Sequence, residues 1–531
     1  MSTFSMMSPN PLAAEPIIPA TASEANDARQ TSLAQILREG LLAIAVAFAL
    51  TAPASVLLGE SHAARQSVII EGFVVMLVGM LAAKTLAGRV FLSMTYLFFY
   101  ENNYFSPVSV WIFSLTPSTF LVIVAIVLES LRSRQRTLLT KGAEHLRLPL
   151  FMMTAALSIA WLVAASFSPA GLVQGLNVTL RMYVPILLFA AAGAAILRRG
   201  EAGILLDLIP FLAAFAAATV WIYTLTGERV LYYSDVWTYH ERIGRFGGLL
   251  RNPNSTSCLC VASILIILIR LHRAPFYLRL VMLANALYLG GTAAVERTRG
   301  ALVVLGLLLP CLLANRRARA PVLLFLVIGA LGVVPAGQLL TASQSEETSQ
   351  ESVVDRFRTI DEGLYLRLQS FADALGTLAH NPFGVGPVGG VLSDDIESAT
   401  GLEAHNEYVG FITRNGFEGI FPLVLLIGLI VAGWVSAARH RMPHRPGTVL
   451  KALMAAFLIT FNFEPILANS YELSAVFGLV TGMCTASVLF AQAQTETTLT
   501  VPHPPRARSA PAIAAPPHWP YSAARGDTGR P

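Results

Sequence analysis

One histidine has the sequence context expected of a general base. His405 is followed directly by Asn406 and, eleven residues after the histidine, by Gly416. An imidazole gains or loses a proton near neutral pH, which suits it to acid–base catalysis. The glycine-containing turn Asn381–Gly386 lies upstream and could expose backbone groups beside it. The competing interpretation is that His405 is an interfacial polar residue with no catalytic role.

Arginines occur in two short clusters that could bind an anion. Arg242 and Arg245 precede Asn252–Asn254, and Arg297 and Arg299 lie between two adjacent apolar runs. A guanidinium group is planar, permanently charged and bidentate towards phosphate, and a helix N-terminus favours an anion in front of it. The two clusters therefore predict ligands for a phosphate-containing substrate.

A simpler structural role is open for both clusters. Either asparagine in Asn252–Asn254 could cap the helix that follows, and Pro253 suits the first turn of that helix. In the second cluster, Glu296 could neutralise one arginine within a tight turn. These roles need no ligand, so the residue types alone leave both interpretations open.

Composition indicates a membrane protein that must position these residues. The 531 residues are 54% hydrophobic and 13% charged, and the mean hydropathy is +0.60. A soluble domain would contain about 25% charged residues. Apolar runs recur from Leu41 to Leu489 and predict an all-α, polytopic bundle of about 12–14 transmembrane helices. The net charge of +5 is not typical of a nucleic-acid-binding protein, and none is expected as a partner.

Basic clusters fall at every second turn between the apolar runs, which predicts that both termini lie in the cytoplasm. The segments Gly227–Asn254 and Thr341–Glu403 are then outside. The predicted divisions are a disordered cytoplasmic tail over 1–33, a helix bundle over 34–340, a large outer loop with the histidine motif over 341–419, C-terminal spans over 420–491 and a disordered proline-rich cytoplasmic tail over 492–531.

The long outer loop is acidic, with 11 Asp or Glu residues against three Arg over 341–404. Its apolar residues from Leu364 to Leu375 have helical spacing, which predicts an amphipathic helix near Tyr365–Leu378 on the membrane surface or over a cavity. Asp394, Asp395 and Glu397 could bind a divalent cation, although a solvated acidic loop is the simpler interpretation. The glycine pattern starting at Gly384 lacks the strand that a dinucleotide site requires.

Other polar residues lie in apolar surroundings. Four cysteines occur inside apolar runs, where small buried hydrophobic residues are the expected role, and no metal site is predicted from them. Charges within or beside spans are candidates for function or for ion pairs between helices. These charges are Glu71, Arg181, Asp207 and Glu464.

Taken together, four motifs resemble those of the O-antigen ligase and Wzy-type polysaccharide polymerase superfamily of bacterial inner membranes. They run from Arg245 to Gly419, about a third of the chain. In order, they are Arg245-x-x-Gly248-x-x-x-Asn252-Pro253-Asn254, then Thr298-Arg299-Gly300, then Arg367 with Asn381-Pro382-x-Gly384-x-Gly386, and finally His405-Asn406-x9-Gly416.

The resemblance implies a GT-C-like glycosyltransferase that uses an undecaprenyl-pyrophosphate-linked glycan as donor at the periplasmic face. The acceptor would be a glycan or lipid A-core, and no cofactor or metal would be needed. Membrane lipids, a flippase and chain-length or export proteins would be the other partners. By the same resemblance, His405 orients or deprotonates the acceptor hydroxyl, and Arg245 and Arg299 hold the pyrophosphate. The expected substrate-binding residues are Arg242, Arg297, Arg367, Asn254, Asn406, Gly384, Gly386 and Gly416.

One departure from the family pattern favours a polymerase of exopolysaccharide or O-antigen repeats over a ligase. Ligases of this group often have a pair of threonines after the glycine, whereas Gly416 is followed here by Phe417-Glu418-Gly419. A secondary transporter or flippase for an anionic lipid is the alternative from another functional class, because the same arginines could bind such a substrate without chemistry. A scaffold for capsule export would leave the outward-facing arginines unexplained.

Overall fold

The computed structural model describes sixteen separate stretches of the chain. They are residues 62–101, 108–110, 113–132, 158–159, 162–163, 166, 172–227, 246–250, 252–296, 298–329, 360–385, 406–424, 427–428, 431, 447–463 and 470–500. Within these stretches some helical residues, Arg181 and Arg367 among them, are described by their backbone alone. The tail predicted over 1–33, residues 501–531, the acidic residues Asp394, Asp395 and Glu397, and Glu464 lie outside the described residues. Residues 492–500, predicted to belong to a disordered tail, instead form the last turns of a long helix that ends at Thr500.

The described residues are predominantly helical, and a single two-stranded ladder accompanies the helices. The helices are α1 (His62–Ala82), α2 (Leu86–Tyr96), α3 (Pro117–Arg132), α4 (Leu172–Arg198), α5 (Ala202–Thr226), α6 (Pro253–Arg270), α7 (Phe276–Val295), α8 (Arg299–Leu313), α9 (Arg319–Gly329), α10 (Ile360–His380), α11 (Glu407–Asn415), α12 (Gly447–Thr460) and α13 (Tyr471–Thr500). The antiparallel strands are β1 (Val108–Val110) and β2 (Phe113–Leu115).

Three helices in the described part of the chain, α5, α6 and α7, are long and apolar enough to cross a membrane. They contain 25, 18 and 20 residues, and a helix rises about 1.5 Å per residue against a hydrocarbon core of about 30 Å. A helical protein that associates with a membrane is therefore supported. The total of 12–14 spans and the sidedness of the bundle stay predictions.

A network of charged side chains, two of them buried, joins four helices at one end of the bundle. We call this end of the bundle the basic end. The Glu129 carboxylate forms an ion pair with Arg199 and lies 3.9 Å from the fully buried Arg89. Glu201 lies 3.6 Å from Arg199 and accepts a hydrogen bond of 2.8 Å from the Ala87 backbone N–H. These contacts hold the start of α2, the end of α3, the end of α4 and the start of α5 together.

The same end contains an ion pair between two of the spanning helices. Arg270, the last residue of α6, donates a hydrogen bond of 2.6 Å to Asp207 in α5. Of the two interpretations open for Asp207, this contact supports an ion pair between helices. Since α6 ends here, α6 begins at the opposite end of the bundle, where α5 ends and α8 and α11 begin. We call that end the motif end.

Two parallel helices, α4 and α13, approach one another through small residues. A Cβ atom added to Gly482 would fall on the carbonyl oxygen of Ala190, and one added to Gly478 would fall 2.5 Å from that of Ile186. Small residues allow such close packing of helix backbones in membranes. This contact gives α13 a defined position beside α4.

Local signals explain where the predicted elements agree with the structure and where they differ. The amphipathic helix predicted near Tyr365–Leu378 is confirmed within α10. One of the apolar runs predicted as a transmembrane helix, Val108–Leu128, is not one helix, because residues 108–110 and 113–115 form the strands β1 and β2. Pro117 has no backbone donor, so it starts α3 and prevents the helix from extending towards Val108.

The cysteines follow the expectation of small buried residues with one exception. Cys258, Cys260 and Cys484 are buried, whereas Cys311 is exposed on α8.

Candidate functional site

The first turn of α6 is fixed by its own cap and by the segment before it. The Asn252 side chain caps the helix by accepting a 2.9 Å hydrogen bond from the Asn254 backbone N–H, and Pro253 occupies the first turn. Upstream, the Phe246 ring stacks on Tyr223 at the end of α5, with ring centroids 4.1 Å apart. Arg242 and Arg245 lie outside the described residues, but the residue after Arg245 packs against α5, and the carbonyl of Gly247 accepts a 2.6 Å hydrogen bond from Thr256 in α6.

A buried polar cluster attaches the turn between α7 and α8 to the N-terminal part of α6. The Ser257 hydroxyl donates a 2.5 Å hydrogen bond to the Glu296 carboxylate, and the Ser257 and Thr298 hydroxyl oxygens are 2.7 Å apart. All three side chains are at most 4% exposed. The cluster therefore places Arg299, the partly buried first residue of α8, beside the start of α6. Arg297 lies outside the described residues.

The histidine motif begins α11 and is held against the end of α12. Asn406 caps α11 by accepting hydrogen bonds of 3.0 and 3.2 Å from the backbone N–H groups of Tyr408 and Val409. The backbone N–H of Glu407 donates 2.7 Å to the carbonyl of Phe461, and the Tyr408 hydroxyl donates 2.9 Å to that of Leu458. His405 itself lies outside the described residues, but the two residues that follow it have defined partners.

The phenol of Tyr408 stays in its protonated, hydrogen-bond-donating form. Burial raises the pKa of Tyr408, and the neighbouring Glu407 carboxylate raises it further. A phenol with a pKa above its usual value of about 10 keeps its proton at physiological pH. The hydrogen bond to Leu458 is therefore maintained through that range.

An ion pair stabilises α11 internally. Arg414 donates a 2.6 Å hydrogen bond to the Glu407 carboxylate, whose side chain is only 3% exposed. Between these two residues on the same side of α11, the Phe411 ring meets the ring of Tyr183 in α4 edge to face, with centroids 6.1 Å apart. The helix that follows the candidate catalytic histidine is thus buried among α4, α10 and α12.

Two glycines of the motifs, Gly384 and Gly416, lie against one another. Both have positive φ, +82° and +75°, a region that favours glycine. The turn around Gly384 is joined to α11 by hydrogen bonds from Val385 N–H to the Thr413 carbonyl, 3.0 Å, and from Phe417 N–H to the Pro382 carbonyl, 2.9 Å. Gly386 and the side chain of Arg367 lie outside the description.

The turn after α12 contacts both the α8 start and the histidine motif. A Cβ atom on Gly300 would lie 3.2 Å from the Cβ of Phe463, and the Phe461 ring meets the Tyr408 ring edge to face at 5.9 Å. Phe461 and Phe463 are two residues apart. The described members of the four motifs are therefore at one end of the bundle, the motif end.

Several polar residues of this region were not singled out from the sequence. Ser257 has no local signal of its own, because its partner Glu296 is 39 residues away. Arg414 lies two helical turns after Glu407 on the same side of α11, a spacing that could have indicated the ion pair. Glu296 was predicted to neutralise an arginine, and the structure adds Ser257 as a hydrogen-bond donor to it. In the described part of the chain, no group of three or more His, Cys, Asp or Glu side chains could hold a metal ion.

Comparisons with known proteins do not assign a family to this chain. No family model matches the chain, and no curated protein is significantly similar to it.

Proposed function

We propose that this chain is a membrane glycosyltransferase that transfers a glycan from an undecaprenyl-pyrophosphate carrier to the hydroxyl of another glycan at the periplasmic face of a bacterial inner membrane. The observation that supports it most is the buried cluster of Ser257, Glu296 and Thr298. This cluster joins an arginine-bearing turn to a helix N-terminus, and two features that favour anions are thereby adjacent.

The proposed reaction is a direct displacement at the anomeric carbon of the donor glycan. The acceptor oxygen forms the new bond to that carbon, the bond from the carbon to the diphosphate oxygen breaks, and the lipid diphosphate leaves with the electron pair. His405 takes the proton of the acceptor hydroxyl, a role typically worth about 10²–10⁴ in rate. Arg245 and Arg299 stabilise the negative charge of the leaving diphosphate, and one such preorganised group contributes about 3 kcal/mol.

A polymerase fits the residues after the histidine motif better than a ligase. Gly416 is followed by Phe417, a large side chain that is about half exposed, where ligases of the resembled group often have threonines. The acceptor is then a second lipid-linked repeat, and successive transfers lengthen the chain.

The test is transfer of labelled lipid-linked repeats by the full chain in nanodiscs. We expect a ladder of products, whereas a single transfer onto lipid A-core would identify a ligase. His405→Ala should lower transfer by about 10²–10⁴ while retaining lipid binding, and Arg299→Ala should also weaken donor binding. The matched control is His380→Ala, because His380 is an exposed histidine in α10.

Two outcomes would contradict the proposal. Unchanged transfer by His405→Ala would exclude the catalytic role of the imidazole. The second measurement uses sealed vesicles that contain the chain and have the lipid composition of the nanodiscs. Movement of the labelled lipid from one leaflet to the other, with no new glycosidic bond formed, would identify the chain as a transporter of lipid-linked anions.

A further inference from the structure

Large apolar side chains are exposed around the candidate site. At the motif end, five of them are 42–53% exposed, although they belong to helices and to the turns that follow them. They are Phe371, Leu375, Phe383, Phe417 and Phe421. We call these five side chains the aromatic surface. Exposed apolar groups of this size mark contact with a membrane or with another protein when they are contiguous.

Helix α10 presents only part of its apolar side to the protein. Ala374 and Leu378 are buried where α10 packs against α11. Phe371 and Leu375 lie next to them around the helix but remain 42% and 48% exposed. Asp373 is exposed on the opposite side, since it is two residues from each of them and successive residues are about 100° apart. Besides its buried face and its polar face, α10 thus has an apolar face that the described residues do not cover.

Three side chains of the aromatic surface, Phe383, Phe417 and Phe421, are brought together by the contact between the two turns. Phe383 and Phe417 are neighbours because the backbone N–H of Phe417 donates to the carbonyl of Pro382. Phe417, Phe421 and Val424 then follow at spacings of four and three residues, which places them on one face of the helical chain. All three are at least half exposed.

The occupant of this surface is indicated by what the bundle exposes elsewhere. Helix α7, which is long and apolar enough to cross a membrane, exposes Tyr277, Leu280 and Val281 by 54–71%. Side chains exposed on such a helix face lipid. The stripe from Phe417 to Val424 continues into the apolar run that starts at Ile420, which is predicted as a C-terminal span, so we expect its exposed face to contact lipid as well.

We propose that the aromatic surface lies in the lipid bilayer, at the boundary between headgroups and acyl chains, with α10 resting on the membrane at the motif end. An amphipathic helix with aromatic residues on its apolar face binds at this depth. The partner is the bilayer itself and not a second protein. If the proposed function holds, this contact keeps the histidine motif, which packs under α10, at the depth of lipid-borne diphosphate groups.

Collision accessibility of nitroxide labels tests this directly and needs no enzymatic activity. The background is Cys311→Ser, because the other three cysteines are buried. Labels are placed by Phe371→Cys, Leu375→Cys and Phe417→Cys in the full chain, reconstituted in nanodiscs of phosphatidylethanolamine and phosphatidylglycerol. The matched controls are Asp373→Cys and His380→Cys, which are exposed positions of the same helix.

The proposal predicts that apolar oxygen collides with the first three labels more often than a water-soluble nickel chelate does, and that the order is reversed at the two controls. Nickel accessibility at Phe371→Cys and Leu375→Cys equal to that of Asp373→Cys would overturn it, since the surface would face water. Low accessibility to both reagents would also overturn it, since protein would cover the surface. Transfer of labelled glycan, measured on the same samples, separates this result from the proposed function.

Discussion

Gly384 and Gly416 lie backbone to backbone, so a Cβ atom on either glycine would overlap main-chain atoms of the other turn. The contact joins the turn that ends α10 to the end of α11, across an interval of the chain that includes the histidine motif. Because both residues also have positive φ, two independent requirements select glycine at both positions.

Gly416→Ala should therefore destabilise the motif end. The expected loss is about 1–3 kcal/mol from the left-handed backbone alone, with the steric overlap in addition. The measurement is thermal unfolding of the full chain in detergent. The control is Gly376→Ala, since a Cβ at this helical position meets nothing within 4 Å and alanine is the better helix former. Equal melting temperatures for the two variants would show that the turns do not need this contact.

Ser257→Ala should impair transfer more than a matched serine substitution. It removes a hydrogen bond to the buried Glu296 carboxylate, and such bonds to charged groups contribute about 1.5–3 kcal/mol. Since the cluster positions Arg299, we expect kcat/KM for labelled donor to fall by about tenfold or more. In the described part of the chain, the Ser263 hydroxyl is fully buried on the same helix without a hydrogen-bond partner, so Ser263→Ala is the control. Equal kinetics for both variants would exclude the positioning role.

The pair of Glu407 and Arg414 should show strong thermodynamic coupling. Removing one partner leaves a charge in a largely buried position, a change that typically costs about 3–5 kcal/mol, and the partial exposure of Arg414 places the expected loss at the lower limit. A double-mutant cycle with Glu407→Ala, Arg414→Ala and the double variant measures the coupling from unfolding free energies. Additive single effects would show that the contact contributes nothing to stability.

Stability at the basic end should depend on pH through Glu201. Burial raises the pKa of this carboxyl, and the hydrogen bond from Ala87 and the charge of Arg199 lower it by less. Its pKa is then higher in the folded state than in the unfolded state, so its contribution to stability is complete below the unfolded value of about 4.3 and is lost as pH rises through the folded value.

Glu201→Gln removes this titration and retains an oxygen that can accept the hydrogen bond from Ala87. Between about pH 4 and pH 7, the melting temperature of the natural chain should fall relative to that of the glutamine variant. Parallel curves for the two proteins would contradict the assigned direction.

Local signals in the sequence predicted the parts of this site that depend on neighbouring residues. The cap at Asn252, the first-turn Pro253 and the amphipathic α10 follow from capping chemistry and helical spacing, which act within a few residues. The strands β1 and β2 before Pro117 were missed, because a run of apolar residues does not distinguish a short strand from a buried helix.

Contacts between distant residues could not be predicted in the same way. Ser257 and Glu296 are 39 residues apart, and Gly384 and Gly416 meet only because α10 and α11 pack together. Neither pair has a spacing that marks it in the sequence. The roles of His405 and Arg245 stay predictions, since both residues lie outside the described part of the chain.

The short turn that follows α12 has a mechanical consequence. Phe463 touches the start of α8, and Phe461 holds the start of α11 through a backbone hydrogen bond. If α12 slides along its own axis, it moves both neighbours in the same direction. The distance between the start of α8, which bears Arg299, and the start of α11, which follows His405 in the chain, is therefore preserved when the helices of the bundle shift.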